Sequence, residues 1–394
     1  MARIVGSELI EDARQRGRIV FEILPGDIVT DVARETAERI GLRLVEGPLE
    51  KPQSVRSDGN TAMRRQLYKR SARWVAPRSA PAMKASRFAK IALIGAGGVG
   101  GNVAHLAALA DMADEIILID IAPGLAAATA LDLNHMSGIT GARTRCTGAE
   151  DLSMVAGADV VVVTAGRARA PGMTRADLIN TNARVIRSAA EAITSSAPNA
   201  VVIVITNPLD EMTFEMLRAT QFPRERVLGM AGTLDSSRFR HALAKAAGVT
   251  PADVSAITLG SHGEEMAPIT SLARIKGRRL ERFLTDDQIE ACVKDAVTGG
   301  GQVVALKKSG SATIAPAHST IELLNHMRGA TSGSVPVSVL LEGEYGISGV
   351  VVGVPAHLGR SGLIEVEKLR LSQDETQALH AAADAIRNRL GLST

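Results

Sequence analysis

Aromatic residues are scarce in this chain: one tryptophan, two tyrosines and six phenylalanines among 394 residues. Apolar residues nevertheless make up 45% of it, so a sizeable core is available, and it must be packed from Val, Ile, Leu and Ala. Cysteine is nearly absent. Cys146 and Cys292 sit in no CxxC or Cys/His cluster, which excludes a disulfide framework and a zinc module. Both read as small buried hydrophobes, and the count suits a reducing cytoplasm. No apolar run approaches the roughly 20 residues that span a bilayer. The N-terminus lacks the charged-then-apolar pattern of a secretory signal, and Glu8, Glu11 and Asp12 argue against a transit peptide.

The formal charge of +3 is unevenly spread. Residues 51–90 hold eleven Lys/Arg against one acid, Asp58, whereas residues 1–50 hold seven basic and ten acidic groups. The large remainder is therefore mildly acidic. A nucleic-acid enzyme is usually basic on its working domain, so this distribution argues against nucleic acid as the main partner.

Four stretches follow along the chain. Residues 1–50 read as a small helix-strand-helix-strand module: Ser7 caps the first helix, Gly17 follows it, 17–24 forms a strand, Thr30 caps a helix that Gly41 ends, and 42–46 forms a second strand. Residues 51–87 keep no period and read as a basic arm with Pro52, Pro77, Pro81 and the lone Trp74 as a docking anchor. From residue 88 to 231, Val- and Ile-rich runs (AKIALIG, EIILID, ADVVVVTAG, AVVIVITN) alternate with Ala-rich helical segments. Continuous apolar runs of this kind mark strands buried on both faces, so the fold class is α/β with a doubly wound parallel Rossmann sheet. Residues 232–394 shift to longer helices and more polar strands, a mixed α+β catalytic domain.

The first strand of that sheet runs into Gly95-Ala96-Gly97-Gly98-Val99-Gly100. A lone GxGxxG is a weak signal. Here it follows a strand, opens a helix, and precedes a second strand that ends in Asp120. Gly95 permits the turn, Gly97 lets backbone approach a pyrophosphate, and Gly100 lets helix pack on strand. The helix N-terminus adds amide donors. Asp120 would accept from both ribose hydroxyls and repel a 2′-phosphate, which favours NAD over NADP.

Beyond this motif, ordered landmarks accumulate: LID (118–120), AGRARAPGMTR (165–175), TNPLD (206–210), LDSSRF (234–239), GSHGEE (260–265), GSATIAP (310–316), GEYGI (343–347) and GVP (353–355). With them, residues 89–392 resemble the malate/lactate dehydrogenase family, and within it the lactate-dehydrogenase-like malate branch. The resemblance implies roles. His262 matches the proton acceptor, and histidine titrates near neutrality as such a base must. Asp235 matches the carboxylate that orients it, as in other triads. Arg238 matches the residue that grips the C1 carboxylate, Arg175 the one that polarises the reacting carbonyl, and Arg169 the specificity position that pairs with a second carboxylate. Asn207 matches the residue that hydrogen-bonds substrate and helps place the nicotinamide. Pro171-Gly172 lies in the loop matching the family's mobile lid. Implied partners are a small dicarboxylate, malate or oxaloacetate, and further copies of the chain as a dimer or tetramer, with no membrane and no metal.

Some positions depart from the family pattern. Arg167-Ala168 replaces an apolar-Pro pair, so Arg167 competes with Arg169 for the specificity role. Glu264-Glu265 replaces an Asp followed by a small residue, which would alter the surroundings of His262. Ala312 stands where lactate-specific relatives carry threonine, which agrees with malate. Residues 1–87 have no counterpart in typical members. Residues 7–47 resemble, through 9–20 and 28–44, the N-terminal parts of some ethanolamine-utilisation microcompartment proteins, which implies a protein partner for this module. Two rival readings stay open: a lactate or other 2-hydroxyacid dehydrogenase, which requires Arg169 turned away from the pocket, and a catalytically inert scaffold, against which the intact set of His262, Asp235 and arginines argues.

Overall fold

A computed structural model describes residues 3–15, 20–46, 85–167, 175–308 and 310–392, with only the backbone of Arg175. Gly17, the arm residues to 84 with Trp74, and Arg169 lie outside the described residues. The chain divides into two units, 1–79 and 80–394.

The small unit contains β1 (Ile4–Val5), α1 (Ser7–Gln15), β2 (Val20–Ile23), β3 (Ile28–Val29), α2 (Asp31–Arg39) and β4 (Arg43–Glu46). β1 pairs with β3 and β2 with β4, both in parallel. Thr30 caps α2, its hydroxyl accepting from the Ala33 amide at 3.2 Å, and Gly41 takes the left-handed turn after it at φ +65°. The module therefore has two more strands than the helix-strand-helix-strand reading allows. β1 and β3 are two residues long and carry no readable period. Ile10, Ala33, Ala37, Phe21 and Leu42 form its core.

The large unit begins with β5 (Phe88–Ile94), α3 (Gly98–Leu109), β6 (Ala113–Ile119), α4 (Leu125–Thr140), β7 (Arg145–Ala149), β8 (Val160–Val163), α5 (Arg175–Ser196), β9 (Val201–Val204), α6 (Leu209–Thr220) and β10 (Val227–Gly229). These six strands are parallel, in the order β7-β6-β5-β8-β9-β10. That is the doubly wound arrangement, with its switch point between β5 and β8, and ligands bind beyond the carboxyl ends of strands at such a point. Every residue of β8 and β9 is buried, because helices cover both faces.

Then follow α7 (Gly232–Ala247), β11 (Val254–Ser255), β12 (Thr258–Gly260), β13 (Met266–Pro268), β14 (Arg274–Ile275), β15 (Arg278–Arg279), α8 (Asp286–Lys307), α9 (Ile314–Met327), β16 (Val335–Glu342), β17 (Ser348–Gly359), β18 (Gly362–Val366) and α10 (Gln373–Leu390). β16 pairs antiparallel with β10, Gly229 opposite Ser338. β17, β12 and β13 extend that edge, so among the described residues one eleven-stranded sheet crosses from the first half into the second. α8 and α10 start with reciprocal capping boxes, Thr285 with Gln288 and Ser372 with Glu375. Among the described residues, no helix is long and apolar enough to cross a membrane.

Candidate active site

Two adjoining cavities open at the carboxyl edge of the parallel strands. The larger, about 1000 Å³, is walled by Gly95, Gly97, Gly98, Asp120, Ile121 and Thr164 among others. Its floor is backbone held at close range. Gly95 has φ +106°, and a Cβ there would lie 2.7 Å from the Ala165 nitrogen. A Cβ on Gly100 would lie 1.9 Å from the Gly95 carbonyl oxygen, so the helix meets the strand turn only because both residues lack side chains. Gly97 faces open space, as a residue that lets a diphosphate approach its backbone should. Asp120 is fixed by two amides, Ala96 at 2.7 Å and Ala122 at 2.9 Å, which leaves carboxylate lone pairs for hydroxyls at the cavity edge. Ile121 beside it is 88% exposed and offers an apolar surface. These features fit a dinucleotide with its diphosphate over Gly97 and a ribose at Asp120.

The second cavity, about 580 Å³, shares Val99, Thr164, Gly166 and Arg167 with the first. His262 lies on its wall, in the turn between β12 and β13. Its Nδ1 is 2.9 Å from Asp235 Oδ2. Asp235, on the first turn of α7, is 2% exposed and sits behind the imidazole. An ionised carboxylate only accepts, so Nδ1 carries the proton and Nε2 is left as the basic nitrogen. Burial pulls the imidazole pKa down, but the charge and hydrogen bond of Asp235, with the charge of Asp210, outweigh it and hold the pKa above the usual 6.5. The pair fixes one tautomer and leaves Nε2 free to accept a proton.

Arg238 also lines this cavity, one helical turn from Asp235, which its Nη1 contacts at 3.0 Å. The rest of the guanidinium lies against Gly299 and Gly300 of α8; a Cβ at Gly300 would be 3.3 Å from Nη2. Val297, Gly300, Gly301 and Val304 follow helical spacing and present one face of α8 to the cavity. Asn207 lines it from the loop after β9, its carbonyl accepting from Asn182 Nδ2 at 2.6 Å. The Asn182 amide also brackets the main chain of Arg167, accepting its N–H at 2.8 Å and donating to its carbonyl at 3.1 Å. Ala312 lines the same cavity. Thus His262, Asp235, Arg238 and Asn207 come together here, and Gly95, Gly97, Gly100 and Asp120 come together at the neighbouring cleft. Arg169 and the side chain of Arg175 lie outside what is described.

Several contributors escaped the sequence reading. Asp210 is 1% exposed, accepts from the His262 backbone N–H at 2.8 Å and from Ser338 Oγ at 2.7 Å. Burial and the neighbouring Glu211 push its pKa up to about 6. Gly299 and Gly300, in the run Gly299-Gly300-Gly301, make room for Arg238. The available signals were an acid pair after Asn-Pro in an apolar stretch, and three glycines inside a helical pattern. Among the described residues, no group of three His, Cys, Asp or Glu is placed to hold a metal.

Residues 89–229 match the family model of the lactate/malate dehydrogenase NAD binding domain, and 232–392 that of the lactate/malate dehydrogenase alpha/beta C-terminal domain. Malate dehydrogenase 1 of Anaeromyxobacter dehalogenans is 43% identical over 275 residues, covering 69% of this chain and 88% of the relative. Malate dehydrogenase of Pyrobaculum calidifontis is 39% identical over 70% of this chain and 89% of its own length. In structure, the Cryptosporidium parvum malate dehydrogenase aligns with TM-score 0.75 at 38% identity, over 78% of this chain and 98% of its own. The lactate dehydrogenase of that organism, solved with lactic acid and nicotinamide adenine dinucleotide, aligns with TM-score 0.74 at 35% identity, over 77% and 97%.

Proposed function

The chain belongs to the lactate/malate dehydrogenase family, and from that membership we propose that it interconverts malate and oxaloacetate with NAD as cofactor. The observation that carries the reading is the His262–Asp235 pair on the wall of a cavity that adjoins a dinucleotide cleft, with the Arg238 guanidinium at its side. The malate dehydrogenases among its relatives support the substrate, as does Ala312 on the cavity wall.

Bound NAD would supply the acceptor or donor of the hydride at carbon 2. The chain supplies everything else. Gly97 and the start of α3 hold the diphosphate, and Asp120 holds the adenosine ribose. His262 Nε2 takes the hydroxyl proton of malate, or returns it to oxaloacetate, while Asp235 stabilises the imidazolium formed in between. Arg238, with one nitrogen committed to Asp235, grips the C1 carboxylate. Asn207 hydrogen-bonds the reacting oxygen, Arg175 polarises it, and Arg169, with Arg167 at the seam of the two cavities, meets the second carboxylate.

Three coarser features complete the reading. The chain works as a homo-oligomer, supported by the exposed Leu131 and Ile139 on α4 and Leu306 on α8. It is cytoplasmic, supported by two free, buried cysteines. Its small unit has a protein partner, supported by the exposed apolar residues Ile4, Ile28 and Val32.

The test is NADH oxidation by the purified full-length chain with oxaloacetate and with pyruvate. Oxaloacetate should win in kcat/KM by about 100-fold, since one desolvated charge pair contributes about 2–5 kcal/mol. Pyruvate as the better substrate would overturn the malate assignment.

A further inference from the structure

His262 is bracketed in the chain by two residues that share one partner. Ser261 Oγ accepts from Arg389 Nη2 at 3.1 Å, and Glu265 Oε1 pairs with Arg389 Nη1 at 2.8 Å. The third arm of that guanidinium, Nε, pairs with Glu211 Oε1 at 2.5 Å. Glu211 is 1% exposed and follows Asp210, whose carboxylate takes the His262 backbone N–H. Arg389 comes from the last turn of α10, far from the cavity in sequence and absent from its wall.

One side chain thus joins the two loops that bring His262 and Asn207 to the cavity. The His262 loop is gripped at both ends, and the Asn207 loop is gripped where it enters α6. The approach of α10 is close: a Cβ at Gly260 would lie 3.2 Å from the Ala382 Cβ, and Gly260 itself has φ +86°. The guanidinium suits this place because its planar donors reach three acceptors in fixed directions, which an ammonium on a flexible stem does not. Glu265 is also where the sequence departs from the family pattern, and Arg389 is what that departure meets.

We propose that Arg389 is a positioning residue for proton transfer: it sets His262 against Asn207 by locking the β12–β13 turn to the first turn of α6. The proposal rests on the dehydrogenase reading above, but it is measured as a ratio of variant to wild type on whichever 2-oxo acid the wild type reduces. A wrong substrate assignment and a wrong role for Arg389 therefore give different results.

In the full-length protein, Arg389→Met should lower kcat about tenfold, because sub-ångström misplacement of a reacting group is felt at that scale. The NADH Kd should stay within about twofold, since the dinucleotide cleft is built from other elements. Arg389→Lys should recover only part of the loss. Arg389→Met combined with Glu211→Gln and Glu265→Gln removes the carboxylates left facing one another; it should regain thermal stability without regaining kcat. Unchanged kcat in Arg389→Met, or full recovery of kcat in the triple variant, would overturn the proposal, the latter because charge balance alone would then suffice. If Arg389→Met does not fold, Glu265→Ala leaves the Glu211 pair in place and decides the matter. A kcat loss of about threefold at unchanged Tm supports positioning, and unchanged kcat refutes it.

Discussion

The two cavities share a wall and are built in opposite ways. The dinucleotide cleft is backbone: glycines without room for a Cβ, a helix start, and one carboxylate held by two main-chain amides. The substrate cavity is side chains: an imidazole and a guanidinium, both held by the buried Asp235, and a carboxamide, each brought from a different loop or helix. The first kind of site is written within a short stretch of sequence and fails when an atom is added at Gly95 or Gly100. The second is assembled from residues spread between Val99 and Pro316 and fails when a partner is removed.

The largest effect expected on that contrast is at the base. His262→Asn should cut kcat by about 10³-fold or more, the scale of lost general acid–base catalysis, with NADH binding intact by fluorescence titration. A parallel loss of NADH affinity would mean that the two sites are not separable. The converse probe is Gly100→Ala. Its methyl would fall 1.9 Å from the Gly95 oxygen, and NADH affinity should drop about 100-fold, the cost of a backbone shift of several kcal/mol. Unchanged affinity would show that the cleft tolerates added atoms after all.

Gly300→Ala transfers the same kind of insult to the side-chain site. The new Cβ would press on Arg238 Nη2 from 3.3 Å, so the KM for oxaloacetate should rise about tenfold with NADH affinity unchanged. An unaffected KM would remove Arg238 from carboxylate binding.

The smallest effect is one of position on the pH axis. Reduction of oxaloacetate needs the imidazolium, so its rate should hold to above pH 6.5 and fall as pH rises through the raised pKa of His262. Oxidation of malate needs the neutral ring and should rise over the same interval. The stability that the charged ring gains from Asp235 is present below 6.5 and is lost as pH rises through the same raised value. Asp235→Asn should move the activity limb to lower pH, and kcat profiles in both directions would detect its absence.

The backbone site was the legible one. GAGGVG and Asp120 are a local pattern, and the Val-rich runs of β8 and β9 announce strands covered on both faces. Thr30 was equally readable as a cap because capping is a contact between neighbours. The landmarks around His262 and Asp235 marked a site, but its supports were hidden. The pairing of Gly229 with Ser338 joins segments far apart in the chain, and no period in either encodes it. Arg389 looks like one more basic residue in the last turn of an amphipathic helix, where the dipole alone would favour it. Its partners Ser261, Glu265 and Glu211 become neighbours only once the sheet is assembled.

The three glycines in α8 carry a thermodynamic consequence as well as a steric one. Each costs a helix interior about 1 kcal/mol relative to alanine, so the run makes residues 299–307 about 3 kcal/mol poorer as helix than an alanine-filled turn. Packing over the cavity, rather than intrinsic propensity, holds that end of α8 in shape. Its amides should be the first of the helix to exchange with solvent in the free protein. A bound dicarboxylate, by fastening Arg238 against them, should slow that exchange, so the substrate wall stiffens as it fills.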